Sequence, residues 1–461
     1  MTSAKKQNIS SLNLHSCCLA SNCQFQIHQK KVNLKAAPNT LIQSEISIFA
    51  SFIFNKKKPM NKSILADRVV SMTVSATLEM TSRSRDLKEK GIDVIALSLG
   101  EPDFDTPQHI KDAGKQAIDD NITHYPPVPG FNELRQAVAT KLKRDNGLDF
   151  KASQVVISNG AKQSIANVLM CILNEGDEVI IPAPYWVSYP SMVELALGKP
   201  VVLDSNIDSD FKVTPEQIRS AITTRTKAFL FSSPSNPTGS VYTQQELKDI
   251  ADVFKDYPEI LIISDEIYEY NIFSGSHQSI ASFPEVKEQV AIINGVSKGF
   301  AMTGWRIGYI AAPEFLAKAC SKLQGQYTSG AGTISQMAAL EALKTSPTES
   351  ADIKKMVAAF HQRRDLLIDL IKEIPGVKTI IPNGAFYLFP DFSYYFGKSN
   401  GSTKINNSTD LCLYLLDKAH VALVPGEAFG SPACVRISYA TSDDIIAEAI
   451  RRIKPALEQL S

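Results

Sequence analysis

The sequence predicts an α/β protein, with a large domain built on a mainly parallel sheet between helices and a smaller α+β domain beside it. Three observations lead there. Short, continuously apolar strands alternate with helical stretches through the middle of the chain, and continuous rather than alternating hydrophobicity marks parallel strands covered on both faces. The segments with chemical content follow the carboxyl ends of those strands, where open parallel sheets place their ligands. At 461 residues the chain exceeds one ordinary domain.

Residues 1–59 stand apart. They hold one acidic residue, Glu45, with eight lysines, no arginine and no sustained period. An acid-poor leader of this kind could be a plastid or mitochondrial transit peptide, although such peptides favour arginine. The lysine run 56–58 and Pro59 directly before Met60 favour instead a disordered leader or spurious extension, with Met60 as the start. Residues 60–107 read as an N-terminal arm and part of the small domain. A helix over 63–89 stops at Lys90-Gly91, and a strand over 94–99 runs into Gly100-Glu101-Pro102-Asp103-Phe104.

The large domain spans 108–343. Strands are predicted over 154–157, 178–181, 200–203, 228–231, 260–264 and 290–293, with helices over 162–173, 215–222 and 245–254 between them. Residues 344–461 form the smaller domain, opened by a helix over 352–373 and carrying strands near 385–389 and 435–439. His361 and Arg363-Arg364 read as a solvated helix face, and 399–403 as a surface loop.

Forty-eight basic residues balance forty-eight acidic ones, so charge gives no reason to expect nucleic acid or an anionic membrane as partner. No apolar run is long enough to span a bilayer. Seven dispersed cysteines without a CxxC pair predict reduced thiols, no metal site and a cytoplasmic setting, unless the leader is a transit peptide.

The most informative segment is Gly295-Val296-Ser297-Lys298-Gly299-Phe300-Ala301-Met302-Thr303-Gly304-Trp305-Arg306. A lysine at the end of a buried strand, crowded by small residues, can lose its proton and form an imine with an aldehyde. An arginine eight positions on suits a phosphate dianion. Aldehyde and phosphate together describe pyridoxal 5′-phosphate. A second anion contact is offered where a strand turns into a helix at Gly160-Ala161-Lys162. Trp186, after a strand in Pro184-Tyr185-Trp186-Val187-Ser188-Tyr189, can stack on a flat ring. Asn236, in Ser233-Pro234-Ser235-Asn236-Pro237-Thr238-Gly239, can donate to a ring oxygen and meet a substrate carboxylate. Asp265 ends a buried strand in Ser264-Asp265-Glu266-Ile267-Tyr268, a costly place for a carboxylate unless a protonated ring nitrogen pairs with it. Tyr268 lies within reach of the ring oxygen. The rival reading of Asp265 and Glu266 as magnesium ligands lacks a GxxxxGK[ST] loop. Arg436, inside a strand of the small domain, suits the α-carboxylate of an amino acid.

With Gly-Glu-Pro-Asp-Phe upstream, these segments occur in the order found in class I aminotransferases, and from about Ser63 to Leu460 the chain resembles that family. The likeness is to the aspartate aminotransferase branch that includes some prephenate aminotransferases. The resemblance implies pyridoxal-phosphate fold type I with a seven-stranded sheet. It implies ping-pong amino transfer between L-aspartate or glutamate and 2-oxoglutarate or oxaloacetate. Lys298, Asp265 and Tyr268 would be catalytic. Gly160, Ala161, Lys162, Trp186, Asn236, Arg306 and Tyr125 would join them in holding the cofactor. Gly100, Trp186, Asn236 and Arg436 would hold the substrate. Tyr125 matches a tyrosine that reaches the neighbouring subunit's phosphate, which implies a homodimer with shared active sites. Some relatives carry a lysine where this chain has Val69. Thr73 and Lys162 match polar positions of prephenate-using relatives. Prephenate or aromatic amino acid transfer, and a pyridoxal-phosphate-dependent lyase, are the alternatives. An effector-binding module of a transcription regulator would need a DNA-binding domain, and residues 1–59 show no helix-turn-helix pattern.

Overall fold

The computed structural model describes residues 64–72, 76–347 and 349–461. The leader, Met60 and Thr73 therefore lie outside the described residues.

After the short strand β1 (Ile95–Ala96), seven strands form the central sheet. They are β2 (Val155–Ser158), β3 (Glu178–Pro182), β4 (Lys199–Leu203), β5 (Thr226–Ser232), β6 (Leu261–Asp265), β7 (Val290–Gly295) and β8 (Gly308–Ala311). Their order across the sheet is β2-β8-β7-β6-β5-β3-β4, and β8 alone runs antiparallel to its neighbours. β6 and β7 are buried along their whole length. Alternate residues serve opposite layers: Ile262 and Ile292 pack with the helices Asn132–Asn146, Gln244–Phe254 and Thr333–Lys344. Leu261, Ile263, Ala291 and Ile293 pack with Ala161–Ile172 and Glu314–Tyr327 on the other face. The continuous apolar pattern has this two-faced burial as its cause.

The C-terminal part carries β9 (Tyr387–Leu388), β10 (Ser399–Asn400), β11 (Thr403–Lys404), β12 (Val421–Ala422), β13 (Val424–Pro425) and β14 (Val435–Ser438). β13, β14 and β9 make an antiparallel sheet, and the long helix Ala351–Lys372 shares its core through Phe360, Leu367 and Ile371. β1 pairs in parallel with β12.

Several expectations need correction. The helix over 63–89 is two helices, Asp67–Val70 and Ala76–Glu89. The strand over 94–99 shortens to β1, because the next carbonyls serve other partners: Leu97 O accepts the Ser438 N–H and Ser98 O accepts Arg436. β8 was not foreseen, although its residues are continuously apolar after Gly308. The 399–403 stretch is no simple loop, since β10 and β11 form a hairpin turned by Gly401 at φ +58°. Arg363 and Arg364 are not a solvated face but are buried. Arg363 makes a two-pronged bond to Asp103 at 2.7 and 2.9 Å and lies over the Phe104 and Phe360 rings. Arg364 donates to Pro382 O at 3.1 Å, while the partly exposed His361 stacks on Phe273. The arginine stems supply apolar surface while their heads are paired, which a charge pattern alone does not show.

Behind the turn that follows β6, Lys141 and Glu269 form a buried ion pair, with side chains 0% and 4% exposed, joined by Asn146. Removing one partner strands the other charge. Lys141→Met is therefore expected to destabilise the protein by roughly 3–5 kcal/mol in urea denaturation, and adding Glu269→Leu to recover most of that loss.

Candidate active site

A cavity of about 290 Å³ opens at the carboxyl ends of β5, β6 and β7 and is closed on its far side by β9, β14 and the segment at Gly100. Of the residues singled out from sequence, Gly100, Ala161, Lys162, Trp186, Asn236, Asp265, Tyr268, Lys298, Arg306 and Arg436 line it. Gly160 touches Arg306 at its rim. Tyr125 is the exception: it is 98% exposed and does not line the cavity of its own chain.

Lys298 follows β7 and is partly buried, and its Nζ donates to Gly100 O at 2.6 Å. Burial draws its pKa down to about 8; the Glu101 carboxylate works against that shift, and the Arg436 and Arg306 cations reinforce it. A substantial fraction is then neutral near physiological pH, as a nucleophilic or basic amine must be.

Asp265 is buried at the end of β6. Its Oδ2 accepts the Tyr189 hydroxyl at 2.7 Å, and its Oδ1 accepts the Ile267 N–H at 3.2 Å. Burial nevertheless pushes its pKa up to about 6, because two neutral donors do not replace a counter-charge. Glu266 points elsewhere. The Ser264 and Ser279 hydroxyls donate to it at 2.9 and 2.6 Å, and His277 Nε2 lies at 3.0 Å. Burial alone would raise its pKa, but His277 and the two serines hold it below the usual range. The two carboxylates thus do not converge as magnesium ligands, and among the described residues no group of three or more His, Cys, Asp or Glu could hold a metal ion.

The anion-binding corner is a close backbone fit. Gly160 sits at φ +83° ahead of the helix Ala161–Ile172, whose first N–H groups have no intrahelical acceptor. A Cβ at Gly160 would fall 2.2 Å from Arg306 Nη2, and one at Gly308 would fall 2.2 Å from the Ala161 nitrogen. Arg306 holds φ +56° and donates through Nη1 to Thr303 O at 2.9 Å. Behind the turn, buried Gln324 accepts from the Ser158 hydroxyl and donates to Ile157 O. Lys162 extends over the Trp186 ring, 4.8 Å from its centroid. Burial lowers its pKa, with Arg306 adding to the effect.

On the opposite wall Arg436 is 2% exposed. Nη1 donates to Asn236 Oδ1 at 3.0 Å and Nη2 to Ser98 O at 2.6 Å, while Nε has no acceptor. With Asn236 Oδ1 so engaged, the amide NH₂ is the part of that side chain left to donate. The site can therefore offer a cationic pocket to a dianion, the Trp186 ring and the Asp265 carboxylate to a flat protonated ring, and a guanidinium to a carboxylate.

Two contributors were not identified from sequence. Tyr189 stands three residues after Trp186 within a segment already singled out, and that spacing could have flagged it. Tyr387, whose hydroxyl lies 2.8 Å from that of Tyr268, sits in a short strand with no local signal.

The model of the family "Aminotransferase class I and II" matches residues 92–453. A bifunctional aspartate aminotransferase and glutamate/aspartate-prephenate aminotransferase of Petunia hybrida is 49% identical, over 85% of this chain and 82% of that protein. The aspartate aminotransferase of Bacillus subtilis is 45% identical, over 86% of this chain and 100% of its own. The crystal structure of the aspartate aminotransferase from Rhizobium meliloti superposes with a TM-score of 0.83 at 40% identity, covering 86% of this chain and 99% of that one. That of the Thermus thermophilus enzyme with maleate gives 0.80 at 39%, covering 85% and 99%.

The state of Asp265 makes stability pH-dependent. Its folded pKa of about 6 exceeds the ordinary 3.8, so its contribution is complete below the lower value and is lost as pH rises through the higher one. The loss is about 3 kcal/mol. Asp265→Asn removes that term. In urea denaturation of the cofactor-free protein, the variant is expected to gain on the parent between about pH 3.5 and about pH 6.5, whereas a constant difference across that range would show that Asp265 keeps an ordinary pKa.

Proposed function

The chain belongs to the class I and II aminotransferases, and on that premise we propose that it moves the amino group of L-aspartate or glutamate to 2-oxoglutarate or oxaloacetate, with pyridoxal 5′-phosphate as cofactor. One observation supports the substrate class above all. Buried Arg436 lines the same cavity as the Lys298 amine, and its guanidinium bonds only neutral acceptors among the described residues. An α-amino acid offers a carboxylate and an amine one carbon apart, which is what this pair can receive.

The side chains present fit the cofactor. The Gly160 backbone, left bare of a Cβ so that Arg306 can approach it, suits a phosphate, which Arg306, Gly160, Ala161 and Lys162 would hold. Asp265, buried with neutral donors only, would gain its missing counter-charge from a protonated ring nitrogen. Tyr268 and the Asn236 amide would donate to the ring oxygen, and Trp186 would cover the ring face. When bound, pyridoxal phosphate supplies an aldehyde that condenses with amines and a ring that accepts the electron pair of the broken Cα–H bond.

The remaining work falls to the chain. Arg436, Asn236, Trp186 and Gly100 bind and orient the amino acid. Lys298 Nζ, its pKa drawn down to about 8 by burial, takes the Cα proton in its neutral form, and its bond to Gly100 O holds the amine at the cavity wall. The proposed homodimer draws support from exposed Tyr125 and from apolar Val69, Val70 and Leu78, 51%, 63% and 67% exposed on the N-terminal helices, a surface a second copy would cover.

The visible band of the cofactor-loaded protein is expected to bleach with L-aspartate alone and return with 2-oxoglutarate. A band indifferent to aspartate and glutamate would overturn the substrate assignment. Lys298→Ala is expected to remove both changes, and retained turnover in that variant would overturn its proposed role. Arg436→Lys keeps the charge but loses the fork, so KM for aspartate should rise about tenfold or more in steady-state assays.

A further inference from the structure

Tyr387 is 1% exposed and lies where Tyr268, Arg436 and Gly100 meet at the cavity. Its hydroxyl is 2.8 Å from that of Tyr268, and the two rings meet edge to face at 81°. Its ring face lies 4.7 Å from the centre of the Arg436 guanidinium, which Phe429 covers at 5.1 Å. A Cβ at Gly100 would fall 2.4 Å from the Tyr387 hydroxyl, so the segment that accepts the Lys298 amine passes directly against it.

We propose that Tyr387 is a positioning residue with two separable functions: its ring holds the Arg436 carboxylate clamp, and its hydroxyl directs the proton of Tyr268 into the cavity. A phenol has one proton to donate. For Tyr268 to spend its proton on a group in the cavity, the bond between the two hydroxyls must run from Tyr387 to Tyr268. A hydroxyl that accepts one bond donates a stronger one. Arg436, Asp265 and Lys298 are the charged groups around the pair. None of them accepts a hydrogen bond from either phenol, since among the described residues the only side-chain bond of each hydroxyl is to the other. The guanidinium, covered by aromatic rings, is left with its edges for Asn236, Ser98 O and a carboxylate.

This inference rests on the reading that Tyr268 donates to the cofactor's ring oxygen. The experiment is a pH titration of the visible band in loaded wild type, Tyr268→Phe and Tyr387→Phe, alongside the Kd of maleate from its effect on that band. Loss of a donor leaves more negative charge on the ring oxygen, which favours the protonated form of the loaded site, so Tyr268→Phe should move the midpoint to higher pH. Tyr387→Phe should move it in the same direction, by about 0.5 pH unit, with maleate affinity unchanged within about twofold because the ring remains. Tyr387→Leu should shift the midpoint and also weaken maleate about tenfold. A midpoint that moves in Tyr268→Phe but stays at the wild-type value in Tyr387→Phe overturns the role of the hydroxyl alone. A midpoint that moves in neither overturns the underlying reading of Tyr268 as well. Unchanged maleate affinity in Tyr387→Leu overturns the role of the ring.

Discussion

Charge placed at the dry ends of a two-faced sheet is the constraint on which this molecule depends. Asp265 and Lys298 are carried to the cavity by β6 and β7, strands with no solvent-facing side. Burial shifts both groups toward their neutral forms, one upward and the other downward. Neither has a full counter-charge in direct contact, so the polypeptide has to hold them by geometry. It does so through neutral donors and acceptors, namely Tyr189, the Ile267 amide and the Gly100 carbonyl. A bound group with complementary charge would then complete a site whose charged groups are already held by hydrogen bonds, which is the general condition for electrostatic preorganisation.

Much of this was legible in the sequence because it is local. Continuous apolar strands reveal burial on both faces, and the residue after such a strand must emerge at the sheet's edge. Lys298, Asp265, Asn236, Trp186 and the Gly160 turn were all found in this way, and the structure brings them to one cavity. Arg436 lies in a different sheet; its fork marked it as a carboxylate partner, but no local pattern placed it across the cavity from Lys298.

Whatever depends on distant partners was not legible. Tyr387 meets Tyr268 across 119 positions of sequence, and Arg363 meets Asp103 across 260. Arg363-Arg364 looked solvated because a helical charge pattern cannot show what lies above it. β8 escaped notice because it is short and returns against the run of the parallel strands. The strand over 94–99 was overextended for a related reason. The apolar pattern continues, but the Leu97 and Ser98 carbonyls are claimed by Ser438 and Arg436 from the far end of the chain.

The two walls of the cavity belong to different sheets, yet hydrogen bonds join them across it, from Arg436 to Asn236, from Lys298 to Gly100 O and between the Tyr387 and Tyr268 hydroxyls. Asp265, Lys298 and the Gly160 corner belong to the seven-stranded sheet and its turns. Arg436, Ser98 and Tyr387 are knit together by β14, β9 and the segment after β1. A substitution in β9 or β14 is therefore felt on the opposite wall, so the choice of bound molecule and the setting of Tyr268 and Asn236 cannot vary independently.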